Sequence, residues 1–186
     1  MRAAAPSFVL TLLMPALALA GPPSAPVRAA ATTALEALKT KNDRVLAKLA
    51  HPKKGVRFST YGQVSRSDVR LWPAGLRGAF QGKGTRVWGT FDGSGHPMRL
   101  TFTGFRDFVW KCDYAATPHV RENPASPPES SGNQGGNAAE AYRGAVVVEY
   151  FCPSDDTRMW SSLSLAFERA GTRWYLVGVV HDGWTI

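Results

Sequence analysis

The sequence predicts a single α+β domain: an N-terminal helix packed on an antiparallel sheet that ends in a three-strand meander. Three observations carry that expectation. Residues 30–50 place Leu35, Leu38, Val45, Leu46 and Leu49 mostly on one stripe at helical spacing. The stretches "GAVVVEYFC", "MWSSLSLAFER" and "RWYLVGVVHD" are three strand-length apolar runs parted by turn residues at 153–157 and at Ala170-Gly171. Between these two ends lie a hairpin signal and a second short helical pattern.

Taken in order, the chain opens on a targeting pattern. Arg2 is followed by the apolar run Phe8–Ala20, which closes on Ala18-Leu19-Ala20 before Gly21 and two prolines. This predicts a signal peptide over 1–20, cut near Ala20-Gly21, and a protein exported to the periplasm or the medium. The run is short for a membrane span, so no transmembrane segment is expected in the mature chain. Residues 21–29 are rich in proline and alanine and read as a tether; a single domain is expected over 30–186. His51-Pro52 stops the first helix, because a residue before proline avoids the α region. "GVRFSTYG" alternates as a strand, and Leu71–Phe80 suits a short helix with Pro73 in its first turn. "RVWGTFDGSGHPMRL" reads as a hairpin about Asp92-Gly93. In "TGFRDFVWKC", Phe105, Phe108, Val109 and Cys112 recur at helical spacing after a Thr103 suited to cap. Residues 123–138 lack periodicity and are predicted to be a disordered insertion.

Composition limits the function classes. The formal net charge is +8, which attracts polyanions such as lipid head groups, acidic glycans and wall polymers. The densest basic stretch runs from Lys39 to Arg57 and holds Lys41, Arg44, Lys48, Lys53 and Lys54 against Asp43. Export argues against nucleic acid as the partner. Cys112 and Cys152 are the two cysteines, and an oxidising compartment predicts one disulfide between them. "GKGT" lacks the full phosphate-loop spacing, "DGSG" lacks the remaining calcium ligands, and no serine sits in a G-x-S-x-G context. No metal site and no cofactor are therefore expected.

The end of the chain, "VVHDGWTI", supplies the candidate site residues. In a regular strand, His181 and Asp182 point to opposite faces and cannot form a dyad with each other. A two-residue Ala170-Gly171 turn pairs Phe167 with Trp174 and Trp160 with His181. That register sets Asp182 on the helix-facing side, where burial would raise its carboxyl pKa and suit it to act as a general base. It sets His181 in a row with Trp160 and Glu149 on the outer face, a suitable platform for a sugar or a cation.

Four stretches, "HPKKGVRFSTYG", "VWGTFDGSGHPM", "AVVVEYF" and "WYLVGVVHDGWTI", resemble a family of uncharacterised bacterial exported proteins and lipoproteins. This chain departs from the lipoprotein pattern in having no lipidation cysteine. The order of elements resembles the nuclear transport factor 2-like cone, the steroid-isomerase-like fold. That resemblance implies a curved sheet wrapped around a helix, with a pocket open at one end. It further implies a pocket near Asp182, Tyr150 and Trp174, joined by Arg57 or Tyr61. Members of that fold include isomerases, dehydratases and non-catalytic binding domains, so fold does not select among them. The reading that follows is an exported, non-catalytic module that binds a small amphipathic ligand or an envelope polyanion. Two alternatives stand beside it. One is a cofactor-free isomerase, dehydratase or hydrolase using Asp182. The other is a homodimerising assembly module joined through Trp160, Tyr175 and Val177.

Overall fold

The structure is a computed structural model and describes residues 25–124, 136–153 and 159–184. The predicted signal peptide and most of the expected insertion lie outside the described residues. Among them, no helix is long and apolar enough to cross a membrane.

The predicted first helix is two helices. α1 spans Ala25–Lys39 and α2 spans Asp43–Leu49, so α1 begins inside the stretch read as a tether. The break has a local cause. Lys41 takes a left-handed φ of 55°, and the backbone closes a Schellman pattern, Asn42 N–H to Ala37 O at 2.8 Å and Lys41 N–H to Leu38 O at 3.4 Å. Asn42 then caps α2, its side-chain oxygen accepting from the Val45 N–H at 3.2 Å. Arg106 seals the end of α1 from outside, its guanidinium donating to the carbonyls of Leu38 and Lys39, each at 2.9 Å.

The remaining elements are β1 (Val56–Ser59), β2 (Val69–Leu71), α3 (Pro73–Leu76), β3 (Arg86–Thr90), β4 (Pro97–Leu100), α4 (Phe102–Val109), β5 (His119–Glu122), α5 (Ala138–Ala141), β6 (Val146–Pro153), β7 (Trp160–Ala170) and β8 (Arg173–Trp184). The strands form a curved six-stranded sheet in the order β2-β1-β8-β7-β6-β5, with β1 parallel to β8 and every other pair antiparallel. The predicted hairpin is a separate two-stranded sheet, β3-β4. α4 begins two residues earlier than expected, because its cap is Thr101, which accepts from the Gly104 N–H at 3.0 Å; Thr103 instead donates to the Phe80 carbonyl at 2.8 Å. Cys112 lies beyond the helix end, in the turn that follows. β5 was not foreseen. The ends of the expected insertion are ordered by two asparagines: Asn123 pairs with the backbone of Val147, and Asn137 with that of Val64.

The sheet separates two cores. The larger packs α1, α2 and α4 on one face, with Leu163, Leu165 and Phe167 of β7 and Val148 of β6 beneath them. Its densest part is aromatic: Phe58 meets Trp88, Phe102 and Phe105 edge-on, and Trp88 stacks on Phe105 with ring centres 4.1 Å apart. The smaller core lies on the other face, where Val64 and Tyr142 cover Val147, Ala166, Val177 and Val180. That cover occupies the middle of the sheet face through which dimerisation was expected.

Two register errors separate the expected meander from the observed one. The β7–β8 turn is Gly171-Thr172, with Ala170 opposite Arg173, Phe167 opposite Leu176 and Gly171 at φ 61°, as a type II′ turn requires. This slides the strands by one residue each and moves no side chain to the other face. The second error does. Phe167 faces Leu176 but Ala166 faces Gly178, so Val177 is an extra residue in β8. One extra residue reverses the alternation of everything after it. His181 consequently lies opposite Leu163, and Asp182 opposite Ser162. Gly178 accommodates the change: a Cβ there would sit 2.3 Å from the Tyr142 ring that lies over it.

Candidate functional site

His181 closes the floor of an open cleft of about 610 Å³ on the helix-facing side of the sheet. Its walls come from four places: Tyr61 beyond β1, Phe91 and Asp92 at the β3–β4 tip, Phe108, Lys111 and Cys112 at and beyond the end of α4, and the β6–β7–β8 edge with Cys152, Met159, Trp160 and Ser161. Cys112 and Cys152 are disulfide-bonded, as expected, and this bond ties the turn after α4 to β6 in the cleft wall. The mouth is apolar, with Met159 42% and Phe91 37% exposed. Phe108 stands edge-on to Tyr61, Phe91 and the imidazole of His181. Lys111 lies over the Phe108 ring, its ammonium 4.7 Å from the ring centre.

The floor is a directed chain of hydrogen bonds. His181 Nδ1 lies 2.8 Å from the Thr60 carbonyl, which only accepts, so the proton is on Nδ1. In the neutral ring Nε2 is then an acceptor, and Ser161 Oγ lies 3.2 Å from it. Ser161 donates to His181, and its oxygen also lies 2.5 Å from the Tyr114 hydroxyl, whose single proton is shared with the Val109 carbonyl 3.2 Å away. Burial explains the charge states. It holds His181 neutral, its pKa pushed down to about 4 chiefly by desolvation, with the Lys111 charge acting in the same direction. It pushes the Tyr114 phenol up to about 12.

Asp182 occupies the other face, at a cavity of about 60 Å³ lined by Gly62, Gly136, Val147, Glu149, Ser162, Ser164 and Val180 among others. That is room for a few waters. Its carboxylate accepts from the Gly183 N–H at 2.9 Å and lies against Gly62, where a Cβ would come within 2.4 Å of Oδ2. Desolvation raises its pKa, and the charge of Glu149 adds to the rise. Glu149 is buried but compensated, since Arg121 Nε donates to it at 2.7 Å.

The expected site residues therefore divide. Of the five expected around the pocket, Tyr61 lines the cleft, its hydroxyl accepting from the Asp92 N–H at 3.0 Å and keeping its own proton to donate. Tyr150 faces the helices but borders a separate opening with Thr117 and Glu122. Trp174 packs on the main core near the β7–β8 turn. Arg57 and Asp182 point to the opposite face, Arg57 because Val56 and Phe58 on either side of it enter the main core. The expected row of Glu149, Trp160 and His181 is broken by the same bulge. Sequence reasoning missed Phe91, Phe108, Lys111 and Ser161. Phe108 was legible only as part of a helix stripe, and Ser161 had no motif to mark it.

The basic stretch is less available than its composition suggests. Lys39 pairs with Asp113 at 2.8 Å, Lys41 with Asp107 at 3.0 Å, and Lys54 with Glu168. Among the described residues, no group of three or more His, Cys, Asp or Glu is placed to hold a metal ion. Compared with known proteins, the chain matches no family model and no curated protein.

Proposed function

We propose that this chain is an exported binding module of the nuclear transport factor 2-like cone type, and that it holds a small amphipathic molecule in the cleft above His181. A helix pair against a bent sheet and a cleft open at one end support the cone reading, which remains an analogy of architecture. The carrying observation is the cleft itself. Its volume of about 610 Å³ suits a small ligand. Its exposed apolar mouth would bind a hydrocarbon part, and its few convergent polar groups would orient a head group. Lys111 and the Tyr61 hydroxyl favour a head that accepts hydrogen bonds or carries negative charge. Three of the cations expected to bind a polyanion are already paired, which favours the cleft over the basic helices.

Titration with decanoate and with decan-1-ol, read by thermal unfolding, tests the proposal. At about a hundred times its dissociation constant a ligand stabilises by about 2.7 kcal/mol. Met159→Glu places a charge in the apolar mouth at an exposed position and should abolish the shift while leaving the unliganded midpoint in place. An unchanged shift in that variant would move the ligand elsewhere.

A further inference from the structure

We infer that Ser161 is a nucleophile for acyl esters, with His181 as its general base. The inference rests on the cleft reading and goes beyond it.

The geometry has the parts that serine acyl transfer requires. A serine hydroxyl is inert until a base within hydrogen-bond reach takes its proton, and that base needs its other nitrogen fixed by an acceptor. Here Ser161 Oγ is 3.2 Å from His181 Nε2, and the Thr60 carbonyl fixes Nδ1–H at 2.8 Å. A backbone carbonyl takes the orienting place that a carboxylate often fills. The pair is rigid, because both residues lie on adjacent strands of the main sheet and are at most 8% exposed. Both nonetheless line the open cleft. Ser161 sits in no G-x-S-x-G elbow, and a strand serine and a histidine brought to one face by a bulge leave no such motif.

The reaction balances with water as the sole co-reactant. Ser161 Oγ attacks the ester carbonyl carbon and its proton passes to His181 Nε2. The C–O bond to the alcohol breaks, and the alcohol oxygen leaves with that proton. Water then attacks the acyl carbon, giving a proton to His181. The acyl–Oγ bond breaks, Ser161 recovers its proton, and the carboxylic acid departs. The negative oxygen formed at each attack would be met by Lys111 or Tyr61, a positive and a proton-donating group that line the same cleft. Lys111 disfavours the imidazolium while it favours the oxyanion, so the site suits activated or electron-poor esters best. An acyl chain would lie against Phe91, Phe108 and Met159.

The test is covalent labelling with an alkyl fluorophosphonate, read by intact mass and peptide mapping, beside hydrolysis of 4-nitrophenyl butyrate. The account expects a single adduct on Ser161, none in Ser161→Ala, and labelling of His181→Gln slowed about 100-fold or more. Decanoate should protect the wild-type protein. The unfolding midpoint of each variant is measured alongside; if a variant does not fold, the mapped site in the wild-type protein decides alone. Stabilisation by decanoate without an adduct would overturn the nucleophile and leave the binding cleft standing. An adduct on another residue would also overturn it. Absence of both stabilisation and adduct would overturn the nucleophile and the cleft together.

Discussion

The two faces of the sheet at the β7–β8 end bury their polar groups in different ways. On the helix side, His181 is only 4% exposed, yet both of its ring nitrogens have a partner and the residue lines an open cleft. On the other side, Asp182 lies in a cavity one tenth as large, under Gly62 and near a second carboxylate. Burial suppresses the charged form of both residues, lowering the histidine and raising the aspartate. Two neighbours in sequence thus face different solvents and different chemistry. The lesson is that a strand's end can place function on either face, and one extra residue upstream decides which.

The comparison can be broken first at the cores beneath each face. Phe58 joins the aromatic cluster under the helices, and Phe58→Ala should cost about 3–5 kcal/mol, because a large cavity in a close-packed group cannot collapse. The smaller core should be more tolerant. Val147→Ala there removes two methyl groups and should cost about 1.5 kcal/mol. Denaturant unfolding of the two variants measures both, and a larger loss from Val147→Ala would reverse the ranking of the faces.

The disulfide sharpens the contrast, because it belongs to the cleft side alone. Its cysteines are 40 residues apart, and reduction should cost about 4 kcal/mol in the chain-entropy model. Hydrogen exchange under mild reducing conditions should rise around Cys112, Ser161 and His181 while the amides near Val147 and Tyr142 stay protected. Equal loss on both faces would contradict the asymmetry.

Acid separates His181 from Asp182 by sign. Between pH 6.5 and about 4 the unfolded chain protonates its histidine while His181 stays neutral. Its contribution is therefore present in full above pH 6.5 and is lost as pH falls towards 4. The loss should reach about 2–3 kcal/mol by pH 4.5. Asp182 acts oppositely: its raised folded pKa makes the folded chain bind the proton more readily, so acid favours its buried state. Unfolding free energies of the wild-type protein and His181→Gln at pH 7 and pH 4.5 check this. The gap between them should narrow by that amount in acid; a constant gap would mean His181 titrates as an exposed group.

Much of the fold was legible because it is written in periodicity. The hairpin at Asp92-Gly93, the short helix at Pro73, the helix at Phe105 and the three C-terminal strands all form where their apolar spacing and turn residues indicate. What was not legible depends on contacts distant in sequence. A lysine ends α1 in a left-handed turn whose exposed carbonyls Arg106 binds from α4. β5 is a short edge strand paired only with β6. The bulge at Val177 leaves no mark in an unbroken apolar run, though Gly178 beside it was a clue. For that reason the sequence separated His181 from Asp182 correctly but assigned each to the wrong face.

The account rests on His181 facing the helices. Nuclear Overhauser contacts from its imidazole protons test this most directly, in protein labelled at histidine and the aromatic residues. The structure predicts contacts to the Phe108 ring, whose centre lies 6.1 Å from that of His181, and a proton on Nδ1 held in slow exchange by the Thr60 carbonyl. Contacts instead to Val147 and Tyr142 would place His181 on the opposite face, remove the bulge, and return Asp182 to the cleft.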